Sequence, residues 1–534
     1  MDQSTHDHTV QNRLVIVVRA DPVICGHSVE ARNLAETARE RGFDEVRIVT
    51  WPIDRLQAAG LPLKPLDAVL PYSEGIIVER PEPVGDYKVP DGRFLAGMVG
   101  RLVELFTDGV PTVCLSLYLS PHTIAVSDAL RAAWSTGLPV DVTTVAEAVG
   151  SDVTNVVRRA VEEGRLGAAA HIFASYLSQD HCVAVSEYTR DLIVEEAERI
   201  DAAHGTRFAE QCRARIEISY PAIDSDAYTH LDPAVTDEVV RARGLRTDGY
   251  VLFLSRLTEA KGVEDLIQGF ERSGVHADHE LVIAGRGPQE AELRRIAAAS
   301  PLAHRIRFLD DVGDAEKPYL MAGCSAFVLP SKPRPEFVET FGIALAEKML
   351  AGGGPVITTL TGGIGEAVGE HAFITPVDDP GTIAALLDHV ILDLSAEERA
   401  HRALAARDYA LQFDRRTVFD RLFARVPRPV RAEHALWTES SGERRVRRRL
   451  GQQPQAVPDE AEGEAAPLAS ADPLGEHADA EDRDDPPVLE AVGDDGGEDV
   501  AGADVVLGLA AGRLAGLGVG LRFAGHLDGH RADS

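Results

Sequence analysis

From Arg13 onward, short runs of β-branched and apolar residues alternate with longer stretches in which apolar positions recur every three or four residues. The short runs predict buried strands, the longer stretches predict amphipathic helices, and their alternation predicts parallel sheets covered by helices on both faces. In the first half the pattern places strands over 13–18, 45–51, 112–119, 139–144 and 181–186, with helices over 28–41 and 187–200, and the unit closes near 216–223. Leu34, Ala35 and Ala38 share one face of the first helix, which assigns that face to the core.

Over 224–248 Asp, Pro and Thr replace the alternation, which marks a crossing between domains. A second unit follows, with strands over 250–254, 279–284, 305–309, 326–329, 355–359 and 372–375, and the stretch 395–426 reads as helical. The expected organisation is α/β: one domain at 13–223, a second at 245–395, and closing helices at 396–428 that pack back on the first. Residues 430–534 are rich in Ala, Gly, Pro, Asp and Glu and poor in large apolar side chains, so a disordered acidic tail is expected there. Within it, 501–521 is apolar but glycine-rich and broken by Arg513, which reads as flexible chain.

Composition narrows the function classes. The chain has 534 residues, enough for two or three domains, and 44% of them are hydrophobic. Its formal net charge is -32, about half of it beyond Gly451, and such a balance repels phosphate backbones, so no nucleic-acid partner is expected. The basic run 444–449 reads as a solvated segment of the tail. Five widely spaced cysteines, Cys25, Cys114, Cys182, Cys212 and Cys324, read as free thiols, and the polar N-terminus lacks signal-peptide order; the expected location is cytoplasmic. No apolar run reaches the ~18 residues of a membrane span.

The chemistry concentrates in the second unit. Glu339 and Glu347 flank Thr340-Phe341-Gly342-Ile343-Ala344-Leu345-Ala346 across an expected loop-to-helix junction, where unpaired amides and the positive end of the helix dipole favour an anion. Alone, two such glutamates are more often a solvated pair. Arg256 and Lys261 lie where the unit's first strand ends, the edge at which open α/β sheets bind ligands, and both are placed to neutralise a pyrophosphate. Gly285 and Gly287 form a glycine turn after the next strand but lack the third glycine of a dinucleotide fingerprint, since Glu290 stands there. Gly362 and Gly363, before Ile364, Gly365 and Glu366, again follow a strand and permit close backbone approach.

These motifs together resemble the C-terminal half of a GT-B fold glycosyltransferase, of the large retaining family 4, or glycosyl transferases group 1. The carriers are R-x4-K-G at 256–262, G-x-G-P at 285–288, E-x7-E at 339–347 and T-G-G-I-x-E at 361–366, in the family's order; the likeness is strong over 250–379 and weaker over 13–223. It implies two Rossmann-like domains facing across a cleft and transfer of a hexose or related sugar from a nucleotide sugar to a small acceptor. Arg256 and Lys261 would bind the donor diphosphate, Glu339 the transferred sugar and Glu347 the ribose, with the amides of Phe341, Gly342 and Ile343 cradling phosphate and sugar; Gly285, Gly287 and Gly363 join the binding set. It implies no cofactor or metal, the departing diphosphate itself accepting the acceptor's proton.

The first half departs from the pattern. Its turn at 23–28 carries a single glycine, Gly26, beside His27, both expected at the substrate. The histidine that many members carry after the strand at 139–144 is missing; Glu147, His27 and His122 are the candidates for its role, while His181 reads as core. That gap keeps two other readings open, a nucleotide-sugar epimerase of related fold and a nucleotide-sugar-binding protein without activity.

Overall fold

The computed structural model describes residues 10–85, 90–335 and 337–426, so the expected tail and the basic run 444–449 lie outside the described residues. The first half forms seven parallel strands, β1 (Arg13–Val17), β2 (Glu45–Val49), β3 (Ile76–Glu79), β4 (Thr112–Leu117), β5 (Val142–Ala148), β6 (His181–Ala184) and β7 (Ile216–Ile218), in the order β3-β2-β1-β4-β5-β6-β7. All five residues of β1 are buried, as expected of a central strand covered on both faces. The chain builds outward from β1 through β2 to β3, then returns to lay β4 on its other side, so the order reverses between β1 and β4. Such a reversal opens a crevice beyond the carboxyl ends of the two strands.

The second half repeats this plan with six parallel strands, β8 (Tyr250–Leu254), β9 (Glu280–Ala284), β10 (Ile306–Leu309), β11 (Ala326–Leu329), β12 (Val356–Thr358) and β13 (Phe373–Ile374), ordered β10-β9-β8-β11-β12-β13. Its reversal falls between β8 and β11.

Three details depart from the sequence pattern. First, β5 runs later than the expected 139–144, because Val145 and Ala146 extend the apolar run after the exposed turn at Leu138; Glu147 is therefore inside the strand, paired in register with Leu117, and not in the following loop. Second, an edge strand, β3, and the long helix Pro90–Thr107 occupy the interval between the predicted strands at 45–51 and 112–119. Third, the segment at 224–248 is no bare linker: the helix Pro233–Ala242, capped by Asp232 whose carboxylate accepts from the Ala234 amide at 2.8 Å, buries Val240 in the second core. His181, read as core, is half-buried, because it is the first residue of β6, where the strand enters the sheet.

The two halves are joined twice, side by side. The amide of Ile223 donates to the carbonyl of Phe413 at 2.9 Å, and the amide of Arg415 donates to the carbonyl of Ile223 at 2.7 Å. Tyr220 and Phe413, one from each crossing, pack on Phe341 with ring centroids 5.5 and 4.9 Å away. After the second crossing the helix Arg415–Phe423 lies on the first half, where Phe419 and Phe423 meet Phe43 and the Asp420 carboxylate takes two bonds of 2.7 Å from Arg41.

Candidate active site

The loops at the carboxyl ends of β8, β9, β11 and β12 are pressed together backbone on backbone, and glycine makes this possible. Gly285 (φ +143) and Gly287 lie so close to the carbonyls of Ser255 and Leu257 that a Cβ at either position would overlap them, and the Leu257 amide donates to the Arg286 carbonyl at 2.9 Å. Gly262 (φ +66) is fitted in the same way under the Pro330 carbonyl. The loop 256–262 is thus held between its neighbours at the second reversal, and the contact that Gly285 and Gly287 make is with that loop.

Within this frame Lys261, buried, forms an ion pair with Glu339. The Phe337 ring lies under both cations of the motif, 4.8 Å from the Lys261 ammonium and 5.8 Å from the Arg256 guanidinium, a geometry that favours positive charge. Arg256 is exposed and takes no carboxylate among the described residues. Glu339 is held from below, since the Gly363 amide donates to its carbonyl at 2.9 Å, and a Cβ at Gly362 or Gly363 would strike the carbonyls of Glu339 or Thr340. Arg256, Lys261 and Glu339 are therefore brought together.

Gly342 (φ +104) then turns the chain into the helix Ile343–Ala351, whose first amides have no partner within the helix. Phe341 points the other way, into the aromatic cluster at the crossings. Glu347, one turn in and 5% exposed, accepts at Oε1 from the Tyr228 hydroxyl (2.8 Å) and the Lys317 ammonium (2.7 Å). Its helix follows the loop of Glu339, but Glu347 takes part in none of the cluster's ion pairs.

The facing wall comes from the first half. A Cβ on Gly26 would meet Ile343 Cδ1 at 3.0 Å, and one on Gly150 (φ +98) would strike the Thr340 side chain. The helix starts at Gly26 and Ile343 therefore approach each other across the cleft. Two polar ties flank them: the Glu366 carboxylate accepts from the amides of Glu187 (2.7 Å) and Tyr188 (3.0 Å), and Lys64 pairs with Asp314 at 2.6 Å.

The titratable groups of this wall are largely uncharged. His27 is pulled down to about 3, by burial first and then by the positive fields of Arg19, His122 and Arg256. His122, 1% exposed, is lowered to about 3 by burial and then by Arg19. Glu147 is equally buried, neither of its carboxyl oxygens has a hydrogen-bond partner among the described residues, and burial followed by Glu30 and Asp152 holds it well above the usual carboxylate range. Glu30, on the buried face of the helix Gly26–Glu40, is raised by burial to about 7 although it accepts from the Ala222 amide at 3.3 Å. Glu147 therefore lies beneath that helix with its neutral form favoured by burial, and it makes no hydrogen bond or ion pair to Arg256, Lys261 or Glu339. Glu30, the one acid on the buried face of that helix, is 117 positions away from Glu147, and no local motif joins the two.

Two doubly wound parallel sheets that meet through their carboxyl-end loops define a GT-B fold. A solved structure with this architecture is that of Anabaena HepE in complex with UDP and glucose, with a TM-score of 0.55 at 18% identity, covering 77% of this chain and 98% of that one. Within the fold, residues 237–408 match the family model for Glycosyl transferases group 1. Among the relatives are the O-antigen chain mannosyltransferase B of Escherichia coli, 28% identical over 183 residues, which is 34% of this chain and 45% of that protein. Another is the GDP-mannose-dependent alpha-(1-6)-phosphatidylinositol monomannoside mannosyltransferase of Mycobacterium tuberculosis, 31% identical over 219 residues, or 40% of this chain and 53% of that one. The chain thus matches about half the length of these relatives, over a segment that contains the cluster of Arg256, Lys261 and Glu339. Among the described residues no helix is long and apolar enough to cross a membrane.

Proposed function

We propose that the protein is a glycosyltransferase that moves a hexose or related sugar from a nucleoside-diphosphate sugar to a small acceptor, with retention of configuration and without a bound metal. The observation that carries this reading is the meeting of Arg256, Lys261 and Glu339 around Phe337, directly before the start of a helix that approaches the first half at Gly26. Two cations and a helix dipole converging on one point match a pyrophosphate, the group that gains charge as the glycosidic bond breaks. Glu339, already oriented by Lys261, orders the hydroxyls of the sugar, and Glu347 serves the ribose one turn further along. A diphosphate oxygen freed by bond cleavage takes the acceptor's proton on the same face. No covalent intermediate on the chain is needed. Glu147, buried and without a hydrogen bond among the described residues, packs the acceptor-side floor and is no base for the acceptor.

The test is release of nucleoside diphosphate from a panel of UDP-, GDP- and ADP-sugars, in EDTA, with and without acceptors, for the wild type and Glu339→Ala. Activity that survives in the variant removes Glu339 from its role, and donor conversion without any acceptor replaces the reading by an epimerase.

A further inference from the structure

The first reversal, between β1 and β4, carries its own constellation, which the donor site does not use. Arg19 follows β1, half-buried, with its guanidinium 4.9 Å from the centre of the Tyr118 ring. It has no carboxylate partner and no hydrogen bond among the described residues. The acid nearest in sequence, Asp21, is committed elsewhere, accepting from Arg32 at 2.8 Å and from the Tyr72 hydroxyl at 3.0 Å. In a chain of net charge -32, a sheltered arginine left without an acid is a site kept open for an anion.

A second observation on the same crevice points to a ligand. His122, 1% exposed, has its Nδ1 2.7 Å from the Leu117 carbonyl, which can only accept, so Nδ1 carries the hydrogen. Nε2 is then a bare acceptor, buried and without a partner. A lone pair in this position lacks a donor, and a hydroxyl supplies one. Tyr118, between the two, is held at φ +107, a backbone conformation rare for a bulky side chain, and stacks edge-on with both His27 (6.0 Å) and His122 (6.1 Å). The helix Gly26–Glu40 starts beside these residues, with His27 of its first turn against Tyr118, and its N-cap residue Cys25 offers the first amides no side-chain bond.

We propose that this crevice is the acceptor site and that the acceptor is a phosphomonoester of a sugar or polyol, its phosphate on Arg19 and the helix start, and one of its hydroxyls on His122 Nε2. Arg19 answers the phosphate of the acceptor while Arg256 answers that of the donor, and His27, whose charged form both arginines disfavour, separates the two as a neutral ring. This rests on the glycosyltransferase reading, and the experiment below tells a failure of one from a failure of the other.

The full chain is titrated calorimetrically with UDP, GDP and ADP, and then, with the nucleotide that binds held at saturation, with glucose 6-phosphate, glucose, gluconate and inorganic phosphate. Glucose 6-phosphate and inorganic phosphate are expected to bind the wild type, and glucose and gluconate are not. Arg19→Gln is expected to weaken both phosphate ligands by about tenfold or more and to leave nucleotide affinity within about twofold, with Arg256→Gln doing the reverse. Arg19→Lys, which keeps the charge, recovers part of the loss and controls for folding. Unchanged phosphate affinity in Arg19→Gln overturns the proposal, as does a loss of nucleotide affinity equal to that of Arg256→Gln, or preference for gluconate. If the wild type binds no nucleotide, the glycosyltransferase reading falls, and the phosphate titration of the free chain still decides for or against Arg19.

Discussion

The two reversal points of this molecule share a backbone plan and differ in almost everything placed on it. Both are built by the same winding, β1 beside β4 and β8 beside β11, and both put a helix start at the mouth of the crevice. At the second the groups are charged, Lys261 against Glu339 with Phe337 beneath, and Arg256 exposed beside them without an acid among the described residues. At the first burial shifts the titratable groups toward their neutral forms, His27 and His122 down to about 3 and Glu30 up to about 7, and the half-buried Arg19 has no acid among the described residues. Winding decides where a ligand goes, and the loop residues decide which charge it carries.

The comparison breaks hardest at the charged point. Replacing Lys261 by Ala leaves Glu339 in a sheltered place without its cation and is expected to lower transfer by about two to three orders of magnitude, about 3–4 kcal/mol of transition-state stabilisation, read as nucleoside diphosphate release. Next in size is Gly262→Val, which puts a branched side chain at φ +66 against the Pro330 carbonyl and displaces the loop of Arg256 and Lys261. A loss of about 2–4 kcal/mol in urea unfolding is expected, and unchanged stability means that the loop is not held as described.

At the neutral point the effect has the opposite sign and depends on pH. Because the Glu30 pKa is raised from 4.5 to about 7 on folding, the folded chain keeps a proton between those values that the unfolded chain has released. Stability therefore falls as pH rises through that window, and the loss is complete above about 7. Glu30→Gln removes this slope: the variant is expected to exceed the wild type by about 2 kcal/mol at pH 8 and to match it below pH 4.5. Glu147→Gln acts in the same direction, since that acid too is raised by burial. Parallel stability–pH curves for wild type and both variants reject the buried acid pair. The smallest effect belongs to Lys64→Met, which removes a partly exposed pair with Asp314 between the halves and is expected to change stability by less than about 1 kcal/mol.

How much the sequence discloses differs between the two regions for the same reason. The charged point is carried by short local motifs that follow strands, so Arg256, Lys261, Glu339 and the glycines beneath them can be read from the sequence. The neutral point is assembled from residues far apart, of which His122 and Glu147 stand out in the sequence only as single candidates, while Arg19, Glu30 and Tyr118 belong to no motif. Strand placement suffered where intrinsic preference was weak: β3 is a four-residue edge strand with no fully buried position, and the end of β5 was misplaced by four residues because an acid at 147 reads as loop. Burial overrode that preference, since Val145, Ala146 and Ala148 commit the strand to the interior and carry Glu147 with them.

Phe341 gives the loop that follows Glu339 a mechanical property. Its ring is wedged between Tyr220 and Phe413, one from each of the two covalent passages linking the halves, while its own backbone leads straight into Gly342 and the helix start. The turn that opens this helix and the joint between the two halves are therefore a single packed body, so a shift of one is passed to the other.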